Sequence, residues 1–235
     1  MRIHSKLVFL LGIASAIVLL GESAAFAQRP YYGRGYGPQP GYYPAPAYGS
    51  WYGYHQHDGF FMRVTAGLGY FSASESYGGA TYTYSGLGES LSAAFGGTIA
   101  PNLILYGELL GTSVSNASLS YGGATQPYSG TDVTLFGFGP GLAYYVEPVN
   151  LYLSGTLTFT QVSFTDTYSG YPSGDSNLGI GLSFMVGKEW WVTRDWGIGI
   201  AGQVHVATMS DTPAPGYDTR LRAAALSMLF SATYN

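Results

Sequence analysis

The 235-residue chain carries 9% charged residues, a formal net charge of −4, 35 glycines, 22 tyrosines and no cysteine. A soluble domain has roughly 25% charged residues, so ordinary water-facing surface is scarce here, and the negative balance argues against a nucleic-acid partner. The absence of thiols excludes a disulfide framework, a cysteine nucleophile and cysteine-based metal sites, and it suits a chain that passes unfolded through an oxidising compartment.

Residues 1–27 read as an export signal. Arg2, His4 and Lys6 make a basic start, residues 7–20 are apolar, and Ala25-Phe26-Ala27 is a small-x-small site, so cleavage after Ala27 is expected. The apolar run falls short of the roughly 20 residues a spanning helix needs. No other segment reaches that length, so membrane insertion has to use strands.

Residues 28–58 change composition. Pro30, Pro38, Pro40, Pro44 and Pro46 alternate with glycines and tyrosines, which removes backbone donors and argues against a packed core. The segment reads as a disordered linker. His55 and His57 are two imidazoles without a third ligand, expected to be solvated linker residues rather than a metal site.

From residue 59 to 235 the chain alternates with period 2, and long and short breaks take turns. The first strand is expected over 60–71, the second over 87–99 and the third over 103–114. A long break at 72–85 parts the first two, and a short one at 100–102 parts the next. After a long break to 130, the fourth strand covers 133–146, where Pro140 shares parity with the apolar face and a local bulge could accommodate it. The fifth covers 151–164, the sixth 178–191, the seventh 196–209 and the eighth 221–234. Strands of this length, with long loops at one end and short turns at the other, predict an all-β, eight-stranded antiparallel up-and-down transmembrane barrel. An even strand number puts both termini on the short-turn, periplasmic side.

A soluble eight-stranded barrel would need charge along its outer face. Here the strand middles are nearly uncharged. Leu, Ile, Phe and Val occupy one face, and Gly, Ser, Thr and Ala the other, as lipid outside and a polar lumen require. Aromatics gather towards strand ends: Phe60, Phe61, Tyr144, Tyr145, Trp190, Trp191, Trp196 and Tyr234 at the turn end, Tyr70 and Phe71 at the other. Phe60, Tyr70, Tyr144, Trp190, Trp196 and Tyr234 are the expected interfacial girdle.

Three stretches carry a family resemblance: Gly137-Phe138-Gly139-Pro140-Gly141-Leu142-Ala143-Tyr144-Tyr145, Gly187-Lys188-Glu189-Trp190-Trp191-Val192 with Asp195-Trp196-Gly197, and Phe230-Ser231-Ala232-Thr233-Tyr234-Asn235. In these, residues 59–235 resemble the small OmpA-like and OmpX-like outer-membrane barrels of Gram-negative bacteria. The patterns are architectural and not catalytic. Many such barrels end in an aromatic residue, whereas this chain closes on Tyr234-Asn235. The resemblance implies outer-membrane lipid and the barrel-assembly machinery as partners. No peptidoglycan-binding domain is expected, and hence no wall-anchoring role.

Lumen candidates with charge are Arg63, Glu108 and Glu189, joined by Tyr106, Gln203 and His205. Buried charge must pair or meet water, so a hydrogen-bonded network filling a narrow barrel is expected, with an ion path as the alternative. Arg63 and Glu189 are expected to meet across the lumen, and Glu108 to lack a basic partner at its level, bonding instead to Tyr106, Gln203 or His205. His205 is the barrel's only histidine, and nothing near it in sequence supplies the nucleophile and orienting acid that a lipid-acting enzyme needs. No phosphate loop, metal-ligand spacing or dinucleotide fingerprint is present, so neither cofactor nor enzymatic activity is expected. The expected role is structural or surface-interacting, with a narrow channel as the alternative.

Overall fold

Alternation of side chains along an extended chain lets one face meet lipid while the other lines an interior, and from residue 60 onward the chain uses it in this way. The computed structural model describes residue 57 and residues 59–77, 79–127, 130–147, 149–166, 174–214 and 217–235. The predicted signal, its cleavage site, His55 and the rest of segment 28–58 apart from His57 lie outside the described residues.

The elements are β1 (Phe60–Tyr77), β2 (Ala80–Ala100), β3 (Leu103–Val114), β4 (Ser118–Tyr121), β5 (Ala124–Gln126), β6 (Thr131–Val146), β7 (Leu151–Asp166), β8 (Gly174–Asp175), β9 (Gly179–Trp191), β10 (Trp196–Ala214) and β11 (Tyr217–Tyr234). The barrel strands are β1, β2, β3, β6, β7, β9, β10 and β11, each antiparallel to the next. β1 pairs with β2 on one side and with β11 on the other, which closes the sheet and abolishes its edges. Short turns gather at one end with the start of β1 and the end of β11; the other, here the loop end, carries the long connections from β3 to β6 and from β7 to β9 and two short ones, from β1 to β2 and from β10 to β11. Two of the short turns close on asparagines in the left-handed region, Asn102 (φ 61°) and Asn150 (φ 51°).

The strands are longer at the loop end than the sequence suggests. Residues 72–85, expected as a break, continue β1 and β2 to a tight turn beside Gly79. Serine and threonine there read as loop composition. Their hydroxyls instead pair across the ladder, Ser74 with Thr83 at 2.9 Å and Ser76 with Thr81 at 3.1 Å. The expected break before residue 130 contains the β4–β5 hairpin, which lies beside β2. Gly122 and Gly123, both at positive φ, make its two-residue turn.

Pro140 is accommodated without a bulge. The β6–β7 register is the same before and after it, Phe138 opposite Phe159 and Gly141 opposite Thr156, with the ladder interrupted between. A missing N–H removes a bond but inserts no residue.

Burial follows the pleat. On β7, Tyr152, Ser154, Thr156, Thr158 and Thr160 point inward, while Leu153, Leu157 and Phe159 are exposed. The outer apolar belt on β10 runs from Trp196 to Val206. At roughly 3.3 Å per residue and a 35–45° tilt, that is about 25 Å, the height of a membrane's apolar layer. The girdle residues Phe60, Tyr70, Tyr144, Trp190 and Trp196 are exposed, and Tyr234 packs beside Trp196 (5.4 Å) and Phe60 (6.3 Å). Phe61, Tyr145 and Phe71, expected among the interfacial aromatics, are fully buried inside the barrel. Each precedes or follows an outward aromatic, and successive side chains on a strand must face opposite ways.

Candidate functional site: a layered lumen

The interior is filled in three layers. At the turn end Arg63 is fully buried, held by β1. Its guanidinium carbon lies 4.5 Å from the Tyr152 ring centre, 5.5 Å from Phe61 and 5.7 Å from Tyr106, and Nη2 donates to Ser154 Oγ (3.3 Å). Ring faces of this kind attract a cation and offset part of the cost of burying it. Glycines on the facing strands make room for the rings. A Cβ on Gly141 would lie 2.5 Å from Tyr106, and one on Gly187 2.4 Å from Tyr152.

Glu189 belongs to the same end but does not meet Arg63. Its carboxylate accepts from Thr233 Oγ1 (2.6 Å) and from the Tyr145 hydroxyl (3.2 Å). These partners come from β11 and β6, each two strands from β9 in the sheet, and they take the place of the expected contact with Arg63.

His57, just ahead of β1, is buried too, unlike a solvated linker residue. Its ring stacks on Tyr145 at 3.4 Å, and Nε2 lies 2.9 Å from Asn150 Oδ1. Thr98 Oγ1 donates to the His57 carbonyl (2.9 Å). The residue before the first strand thus covers the turn-end mouth.

The middle layer is rich in hydroxyls. Glu108 Oε2 accepts from Thr156 Oγ1 (2.5 Å), and the Tyr106 hydroxyl lies 2.9 Å from that same oxygen. Glu108 therefore reaches Tyr106 through Thr156, not directly. Gln203 Nε2 donates to Ser183 Oγ (2.9 Å), and His205 Nε2 lies 3.0 Å from Thr158 Oγ1. Ser90 joins Thr112, its ladder partner on β3 (3.0 Å), and accepts from Ser227 on β11, beyond β1 (3.0 Å). Arg63 Nε and Nη1, Glu108 Oε1 and His205 Nδ1 are buried without a partner. Among the described residues no acid orients the Thr158–His205 pair through Nδ1. Among the described residues no group of three metal-ligating side chains converges.

The loop-end layer is apolar. Phe71, Val114, Val133, Leu135, Val162, Met209 and Leu221 form one buried cluster, with Tyr84 and Phe164 against it. Sequence reasoning missed this layer. The signal was present in Val133, Leu135 and Val162, apolar residues on the lumen parity of strands whose other face is apolar as well.

The six lumen candidates thus share the interior but not one site: Arg63 and Glu189 occupy the turn-end layer, while Tyr106 spans from it to Glu108, with Gln203 and His205 further along.

No protein-family model matches the chain, and no curated protein matches it by sequence. Among solved structures, it is similar to neisserial surface protein A, at 20% identity over 75% of this chain and 97% of that one, with a TM-score of 0.52. It is also similar to the outer membrane protein OprG from Pseudomonas aeruginosa, at 15% identity over 77% of this chain and 98% of that one, with a TM-score of 0.44. The closed eight-stranded sheet, its belt of lipid-facing side chains and the first of these likenesses give one conclusion: this chain has the fold of the small outer-membrane β-barrels.

Proposed function

We propose that the protein spans the outer membrane of a Gram-negative bacterium with both termini in the periplasm, and serves there as a non-enzymatic structural or surface-interaction barrel. The observation that carries this reading is the lumen. Three successive layers of buried side chains fill it, ending at the loop end in an apolar cluster that offers no path to hydrated ions. What remains to contact the surroundings is the outer wall and the loop end, where β1, β2, β4 and β5 rise beyond the belt. Export through a signal cleaved after Ala27 and insertion by the barrel-assembly machinery belong to the same reading. Planar-bilayer recording of the purified mature protein tests it. Brief, small events at most are expected; stable conductance in the range of general porins would replace it with the channel reading. N-terminal sequencing of outer-membrane protein should find Gln28 first.

A further inference from the structure

Above the apolar belt the outer wall changes chemistry, and at one place it gains charge. On β11 the exposed face runs upward through Phe230, Met228, Leu226 and Ala224 and then reaches Arg222 and Arg220. Both arginines are exposed and alternate residues on a strand share a face, so their Cα atoms stand about 6.7 Å apart along it. The neighbouring strand presents Thr208 opposite Arg222 and Ser210 opposite Arg220, and β1 presents Ser74 opposite Arg222 from the other side.

β9 begins at Gly179 while β10 runs on to Ala214, so the wall steps down beside this face. The step leaves an open notch of about 510 Å³ whose lining includes Leu178, Ile180, Thr208, Ser210 and Arg220. Leu178 and Ile180, at 58% and 59% exposure, continue the lipid-facing belt into it. The notch is thus apolar on its β9 side, hydroxyl-bearing on β10 and cationic on β11, with Ile180, Thr208 and Arg222 in one ladder row.

Neither arginine makes an ion pair or side-chain hydrogen bond among the described residues, and from Arg220 and Arg222 towards the turn end no carboxylate shares this outer face of β9, β10, β11 or β1. Glu75, the acid in register with Leu221, faces the other way and accepts from Thr219. Guanidinium groups match phosphate oxygens with paired N–H donors. At the height where head groups begin, an apolar wall under such a pair fits an amphiphile with anionic oxygens.

The geometry points to a binding site for a phosphorylated lipid of the loop-side leaflet. Arg220 and Arg222 hold its phosphate, Thr208 and Ser210 donate to the remaining oxygens, and the acyl chains lie along Leu178, Ile180 and the exposed face of β11. The site rests on the membrane-spanning reading above.

The test uses the mature protein in phosphatidylcholine nanodiscs, titrated with diphosphorylated lipid A, with the same lipid dephosphorylated, or with inorganic phosphate, and read by native mass spectrometry. Wild type should retain the phosphorylated lipid about tenfold better than the dephosphorylated one. Inorganic phosphate should not displace it at equal concentration. The R220Q/R222Q variant should lose that preference while keeping the wild-type heat-shift on gels, and Arg194→Gln at the turn end should keep it. Equal retention of both lipids by wild type, full preference in R220Q/R222Q, or displacement by inorganic phosphate overturns the site and leaves the barrel reading intact. Failure of wild type to insert into phosphatidylcholine overturns both.

Discussion

Arg63 and Glu108 stand two ladder steps apart, because Ala94 is the register partner of both, on β1 through one edge of β2 and on β3 through the other. The ladder thus places a cation two strands from Glu108, in the adjoining turn-end layer. Their side-chain hydrogen bonds go elsewhere, Arg63 to Ser154 and Glu108 to Thr156, yet among the described residues each keeps a buried polar atom without a hydrogen-bond partner.

Two opposite charges in adjoining layers of one low-dielectric lumen lower the cost of burying each other even without contact. Removing either should leave the other uncompensated. Glu108→Gln and Arg63→Met are each expected to destabilise the barrel by about 1–3 kcal/mol, and the double variant by at least about 0.5 kcal/mol less than their sum. Urea unfolding from lipid vesicles measures all three; strict additivity would mean that the two charges do not sense each other.

The facing of the wall makes a second prediction. Leu157 and Ile200 are exposed at 48% and 51% in the middle of the belt. Arginine at either should cost about 2–4 kcal/mol, whereas arginine at Thr208, above the belt and already beside Arg222, should cost about 0–1 kcal/mol. Folding titrations into vesicles compare the positions, and equal penalties would contradict the belt's upper boundary.

Glycine at Gly141 and Gly187 is a packing requirement. A methyl group at either would press on the ring of Tyr106 or Tyr152, each buried beside Arg63. Gly141→Ala and Gly187→Ala should each cost about 1–3 kcal/mol by overpacking. Gly107→Ala on the outer face, where nothing lies within 4 Å of a Cβ, should be close to neutral. The thermal gel-shift midpoints of the three variants should therefore separate into two groups.

His57→Ala should loosen the turn-end mouth. It removes the ring stacked on Tyr145 and leaves Asn150 Oδ1 without its bond, an expected loss of about 1–2 kcal/mol. A variant lacking residues 28–54 but keeping His57 should retain wild-type stability. If the two behave alike in thermal unfolding, the segment and not the imidazole is what seals the mouth.

Period-2 alternation, the order of long and short breaks, and the scarcity of charge were enough to establish eight strands, their antiparallel order, and which face of each meets lipid. That information is local: once a strand forms, its pleat dictates that Leu157 and Thr156 point opposite ways. Outward aromatics such as Trp190 and Tyr144 were legible for the same reason, and so was the inward direction of Arg63, Glu108 and Glu189.

Who meets whom inside was not legible, because it depends on ladder register and on closure. Arg63 and Glu189 lie 126 residues apart, and only the offsets accumulated around the sheet decide that Thr233 and Tyr145 reach Glu189 while Ser154 reaches Arg63. The extent of β1 and β2 past Phe71 was hidden because a serine–threonine stretch has loop composition until a second strand lies beside it to pair the hydroxyls. The apolar cap at the loop end and the seat of His57 at the turn end have the same origin. Both are contacts between segments far apart in sequence, and only barrel closure, through which each strand faces the others across one narrow lumen, brings them together.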